Sequence, residues 1–157
     1  ATIILPVFKK ALTENEVIQI SKAKHHTDQH ILLVEDEEAI SNVQQSILTA
    51  APCFHKVDIA PDGQTAIDLF SRKAYDFVSL DYMLPGDVNG MDVYRHIREK
   101  NQRIPILFIS GNIEFLESID DLMKKDACVG HISKPCRNID YISNINQLFD
   151  KIIAERL

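Results

Sequence analysis

Residues 78–90, VSLDYMLPGDVNG, carry the reading of the whole chain. Val78, Ser79 and Leu80 run straight into Asp81, more hydrophobes follow at Tyr82, Met83 and Leu84, and the chain turns only at Pro85-Gly86. An apolar approach to a single acid predicts a buried strand that ends on a carboxylate. A carboxylate there is costly to desolvate unless something compensates it, so a partner must come from elsewhere in the chain.

Working outward, four further short runs rich in β-branched residues resemble this one: HILLVED (30–36), HKVDIA (55–60), IPILFIS (104–110) and CVGHIS (128–133), with YDFVSLD (75–81) as the third in order. Segments of helical period separate them. Ile40, Val43 and Ile47 fall on one stripe, as do Met91, Tyr94 and Ile97, then Leu116, Ile119 and Met123. The last segment, 138–156, aligns Ile139, Ile142, Ile145, Leu148 and Ile152. Strict strand-helix alternation predicts an α/β fold: a doubly wound, five-stranded parallel sheet of flavodoxin-like (βα)5 type, ordered 2-1-3-4-5. The pattern begins at residue 30. Residues 1–29 form an extension with a short apolar stretch from Ile3 to Phe8, a helix around Glu14 to Lys24, and a polar tail. Phe54, Phe70, Phe77 and Phe108 read as core, Cys136 as packing, and DDLMKKD (120–126) as a solvated helix face.

A chain of 157 residues with 25% charged residues suits one globular domain. Its net charge of −6, without a basic cluster, argues against direct nucleic-acid binding or an anionic membrane surface. Three cysteines, Cys53, Cys128 and Cys136, lack metal-ligand spacing and read as reduced cytoplasmic thiols. No apolar run approaches the roughly 20 residues that span a bilayer.

Ligands of such open sheets bind at the carboxyl ends of the strands. Reading off those positions gives Glu35 and Asp36, Asp81, Ser110 and Lys134, four strand ends that the order 2-1-3-4-5 brings together. Three carboxylates in one crevice repel one another unless a cation sits among them, and hard oxygen ligands suit Mg²⁺. Lys134 and Ser110 add a positive charge and a hydroxyl donor fit for a transferring phosphoryl group, with Asp81 as its acceptor. Each residue also has a plainer reading: Asp36 as a helix N-cap, Glu35 as a solvated edge residue, Ser110 as turn chemistry and Lys134 as a surface lysine. The joint placement favours the site.

The motifs ILLVEDEE, DYMLPGDVNG, ILFISGN and GHISKP, in this order, resemble the receiver domain of two-component response regulators over residues 30–156. The resemblance implies that Asp81 is phosphorylated from a phosphohistidine on a histidine kinase or histidine phosphotransfer protein, the domain assisting its own phosphorylation and dephosphorylation. It implies Mg²⁺ held by Asp36, Asp81 and the backbone carbonyl of Met83, with Glu35 acting through a bound water. Lys134 would pair with the acceptor, Ser110 would move toward the phosphoryl oxygen, and Pro135 would follow a cis peptide. His131 stands where many members carry a switching aromatic, and a histidine there makes output sensitive to pH or is simply packed. The loop Pro85 to Gly90 is one residue longer than usual and contains Asp87 and Asn89; the interval from Ser110 to Lys134 is also long.

ATIILPV (1–7) resembles the last strand of a histidine kinase catalytic domain. The expectation is therefore the carboxy-terminal receiver of a hybrid sensor kinase, with residues 8–29 as linker, 30–157 as receiver, no effector domain after it, and a cytoplasmic location within a membrane-anchored parent. The alternatives are a free-standing receiver and a degenerate one that only binds proteins. A flavodoxin-like cofactor binder would need a phosphate loop where this chain has the acidic EDEEA.

Overall fold

The computed structural model describes residues 11–23, 25–111 and 113–156. Helix α1 (Glu14–Lys22) comes first, and then five strands alternate with five helices: β1 (His30–Val34), α2 (Glu38–Thr49), β2 (Lys56–Ala60), α3 (Gly63–Arg72), β3 (Phe77–Asp81), α4 (Gly90–Lys100), β4 (Ile106–Ser110), α5 (Ile113–Lys125), β5 (Val129–Ser133) and α6 (Asn138–Arg156). The strands form one sheet in the order β2-β1-β3-β4-β5, every pair parallel. The doubly wound fold expected from the alternation is the fold observed.

The period of two along each strand sorts the core into two layers. Ile31, Phe77, Leu107 and Ile109 face α1, α2 and α6, whereas Leu32, Val34, Val78, Leu80, Ile106 and Phe108 face α3, α4 and α5. All five residues of β3 and of β4 are buried, as the central position of these strands demands. Helix starts are marked chemically. Asn89 and Asp92 form a capping box at α4, and Asp62 accepts from the Thr65 N–H at α3.

The described residues before 30 pack onto the sheet and its helices. Thr13 and Glu16 close a capping box on α1, and Ile20, 4% exposed, enters the core beside α6. His26 then donates its backbone N–H to Asn146 Oδ1 at 3.0 Å, and its Nε2 lies 2.7 Å from Asp150 Oδ1. The Asp28 N–H donates to the Cys53 carbonyl at 3.3 Å. The strand expected over residues 1–7 lies outside the described residues.

Two expectations need correction. Phe54 is not core: it is 59% exposed, in the turn that leads from α2 to β2, with φ of +52°. Its backbone N–H closes the α2 terminus onto the Ala50 carbonyl, which turns the ring outward and leaves the buried place to Cys53. The run 120–126 is solvated only in part. Asp126 accepts from Arg98 Nε at 2.7 Å and from the Tyr94 hydroxyl, tying α4 to the start of β5. The three cysteines are free thiols, and no helix among the described residues is long and apolar enough to cross a membrane.

Candidate functional site

The parallel sheet delivers its strand ends to one edge of the molecule, and there the acidic residues meet. Ligand oxygens of Glu35, Asp36 and Asp81 lie within 4.8 Å of one another. Glu35 and Asp81 are buried, 3% and 4% exposed, while Asp36 faces solvent. The partner that Asp81 requires is Lys134: its Nζ donates to Asp81 Oδ2 and to Glu35 Oε1, both at 2.8 Å. The other Asp81 oxygen, Oδ1, accepts from the Met83 N–H at 3.2 Å, which ties the following loop back to Asp81.

Asp36 is not the N-cap of α2. Glu37 occupies that position without a side-chain cap, and the Asp36 N–H is turned inward onto Glu35 Oε2 at 3.0 Å. The Asp36 carboxylate is therefore left for the crevice. Burial, and next the Asp81 carboxyl alongside it, push the Glu35 carboxyl well above the usual carboxylate range, which Lys134 offsets only in part. Burial opposes charge on Lys134, yet Asp81 and Glu35 together hold its ammonium above the ordinary lysine value. One ammonium among three carboxylates leaves negative charge unbalanced. The donor set is hard oxygen only, so the residues present fit a hard divalent cation.

Ser110, 2% exposed, ends β4, and its carbonyl accepts the Lys134 N–H at 3.1 Å, tying the two strand ends together. The Lys134–Pro135 peptide is cis. Beside Lys134 a cavity of about 780 Å³ opens between α1, α2 and the start of α6, lined by Thr13, Ile40, Val43, Gln44, Pro135 and Ile139. His131 stands farther back on β5, opposite Phe108, so it is not part of the acidic cluster. In the loop after Asp81, Asp87 is exposed and Asn89 is occupied in capping α4.

Two features of the site escaped the sequence. Tyr82, next to Asp81, stacks on Phe115 of α5 with ring centroids 3.7 Å apart. Gly90 packs so tightly against Asp81 and Tyr82 that a Cβ would come within 2.8 Å of the Asp81 carbonyl oxygen. An aromatic directly after the acid and a glycine opening the next helix were the available signals.

An open parallel sheet with an acidic crevice and a lysine at its strand ends defines a class of signalling α/β domains. Residues 31–146 match the response regulator receiver domain, and the chain belongs to that family. Such domains work in two-component signalling, interact with histidine kinases or phosphotransfer proteins, and bind Mg²⁺ in an acidic pocket. Among similar proteins, the transcriptional regulatory protein TrcR of Mycobacterium tuberculosis is 35% identical over 59% of this chain and 35% of its own length. The uncharacterized transcriptional regulatory protein YrkP of Bacillus subtilis is 37% identical over 59% of this chain and 38% of its own. The matched stretches thus span little more than a third of those relatives. A CheY-like receiver domain protein from Methanospirillum hungatei superposes with a TM-score of 0.71, at 21% identity, over 82% of this chain and 99% of that one.

Proposed function

We propose that Asp81 accepts a phosphoryl group from a phosphohistidine on a histidine kinase or phosphotransfer protein. The observation that carries this is the double grip of Lys134 Nζ on Asp81 and Glu35 within a cluster of three carboxylates. An Asp81 oxygen forms the new O–P bond as the P–N bond breaks and its electron pair returns to the imidazole. Lys134 holds the acceptor carboxylate in place and neutralises charge that develops on the phosphoryl oxygens. Ser110 supplies a hydroxyl from the adjoining strand end. Asp36, Asp81 and the Met83 carbonyl would hold Mg²⁺, with Glu35 reaching it through water; bound there, the ion neutralises and orients the phosphoryl oxygens.

The test is intact mass after incubation with acetyl phosphate, with and without Mg²⁺, beside Asp81→Asn. A Mg²⁺-dependent gain of one phosphate, absent in the variant, is expected. No gain, together with no Mg²⁺-dependent binding of beryllofluoride, would leave a degenerate, protein-binding receiver.

For the parent chain we favour a hybrid sensor kinase: residues 1–7 closing a kinase catalytic domain, 8–29 connecting, and 30–157 the receiver, facing the cytoplasm. The support is the ATIILPV resemblance ahead of the receiver. The names of the relatives, which are transcriptional regulators, favour a second reading, a free-standing regulator that controls transcription when phosphorylated. Phosphoryl relay onward from Asp81 to a histidine phosphotransfer protein supports the first; its absence, with phosphorylation-dependent binding of an output partner, supports the second.

A further inference from the structure

A chain of aromatic rings leads away from the acceptor. Tyr82 stacks on Phe115 at 3.7 Å and 18° between ring planes, and Phe115 meets His131 edge-on at 6.0 Å and 70°. The three rings run from the acceptor loop, across α5, to β5. The far end carries an anomaly: His131 Nε2 is buried and has no hydrogen-bond partner among the described residues.

A neutral imidazole can leave one nitrogen as a bare lone pair, whereas the imidazolium carries an N–H on both nitrogens. Protonation would therefore put a charged donor at this buried atom with no acceptor among the described residues. The surroundings offer little relief. Gly130 packs against Leu148 of α6, so the alternate residue His131 faces the opposite side, toward α5. On α5 the charged neighbour is Asp120, whose attraction does not outweigh burial, and the ring stays below the ordinary histidine value. On β4 the facing residue is Phe108. Behind Phe108, α4 presents Tyr94, whose hydroxyl is held by the Asp126 carboxylate that pairs with Arg98.

We propose that this receiver has a proton input: protonation of His131 and loading of the acceptor oppose each other through the Tyr82–Phe115 stack. The inference rests on Asp81 being the acceptor. Loading fixes the loop that Met83 already ties to Asp81, and so holds Tyr82 and Phe115 against the slot in which the neutral ring sits. An imidazolium must leave that slot for water, which loosens Phe115 and the loop behind it. Linkage makes the two effects reciprocal.

The experiment measures the Mg²⁺-dependent affinity for beryllofluoride at about pH 7.5 and about pH 4.5, the lower value reaching beneath ordinary histidine titration because burial lowers the His131 midpoint, in the wild type and in His131→Phe. The variant carries the same acidic cluster, so the ratio of the two proteins isolates His131. The expected result is a wild-type affinity that falls at least about fivefold more than the variant's on acidification. In parallel, the His131 ring is titrated by NMR in the wild type, free and loaded, which requires no variant. Its midpoint is expected to be lower in the loaded protein, and Phe115→Leu is expected to erase that difference. Parallel pH profiles in the two proteins, or a midpoint that loading leaves in place, overturn the proton input alone. No binding to either protein at any pH overturns the phosphoacceptor reading and this inference with it.

Discussion

Two acidic clusters in this molecule are treated in opposite ways, one around half-buried Asp58 and one around buried Asp81. At the amino end of the sheet Asp58 faces three donors: the Tyr75 hydroxyl at 2.7 Å, His30 Nε2 at 3.0 Å and Lys73 Nζ at 3.2 Å. Burial acts against its ionised form, but these three partners together hold the carboxyl below its ordinary value. At the carboxyl end the ratio is inverted, with three carboxylates around one ammonium. The first cluster is complete as it stands and has no use for a ligand. The second is stable only with cation or proton to spare, which makes it a place where binding can do work.

The largest effect expected from breaking this contrast is that of Lys134→Met. Two buried carboxylates lose their counter-charge, so stability in Mg²⁺-free buffer falls by about 3 kcal/mol. Denaturant titration checks this, and added Mg²⁺ should restore part of the loss. Labelling by acetyl phosphate should drop at least about a hundredfold. Next come two substitutions of opposite sign. Asp81→Asn removes charge from the overcrowded cluster and should raise Mg²⁺-free stability by about 1 kcal/mol, whereas Asp58→Asn should lower it by about 1–2 kcal/mol. Paired urea melts decide whether the clusters differ as described.

Acid and base sharpen the same contrast. The folded-state value of Glu35 is raised above its ordinary 4.5, so without Mg²⁺ its contribution is full below that pH and is lost as pH rises through the folded value. Asp58 runs the other way: its contribution is present above its ordinary 3.8 and is lost as pH falls through the lowered folded value. Urea midpoints against pH in EDTA should show the first slope, Asp81→Asn should weaken it, and Asp58→Asn should remove only the second. The smallest effect is at the caps. Asn89→Ala and Asp62→Ala should each cost about 1 kcal/mol, but only the former, at the end of the loop that follows Asp81, should alter the rate of labelling.

Most of the candidate site was legible because it is written in strand ends. Glu35, Asp36, Asp81, Ser110 and Lys134 each close an apolar run, and one rule about parallel sheets brings such ends together. The fold was legible for a related reason, since alternation leaves few ways to connect parallel strands. What stayed hidden depends on contacts between segments distant in sequence. Nothing local distinguishes Asp126, bound to Arg98, from its solvated neighbours Asp120 and Asp121. Hydrophobicity alone assigned Phe54 to the core, but the tight turn after α2 leaves only Cys53 facing inward. The Tyr82–Phe115 stack needed the position of α5 beside the loop that follows Asp81, and the seating of Ile20 needed α6.

That seat of Ile20 bears on how freely this unit could be moved between proteins. A piece cut at residue 30 would keep the five strands of the sheet, yet it would bare the apolar ground beside α6 that Ile20 covers and remove the hold of His26 on Asn146 and Asp150. Such a transplant would carry a greasy scar along one flank and tend to self-associate there. The portable module is thus larger than the sheet and its five flanking helices. Among the described residues, Leu12 is the first that packs against the core.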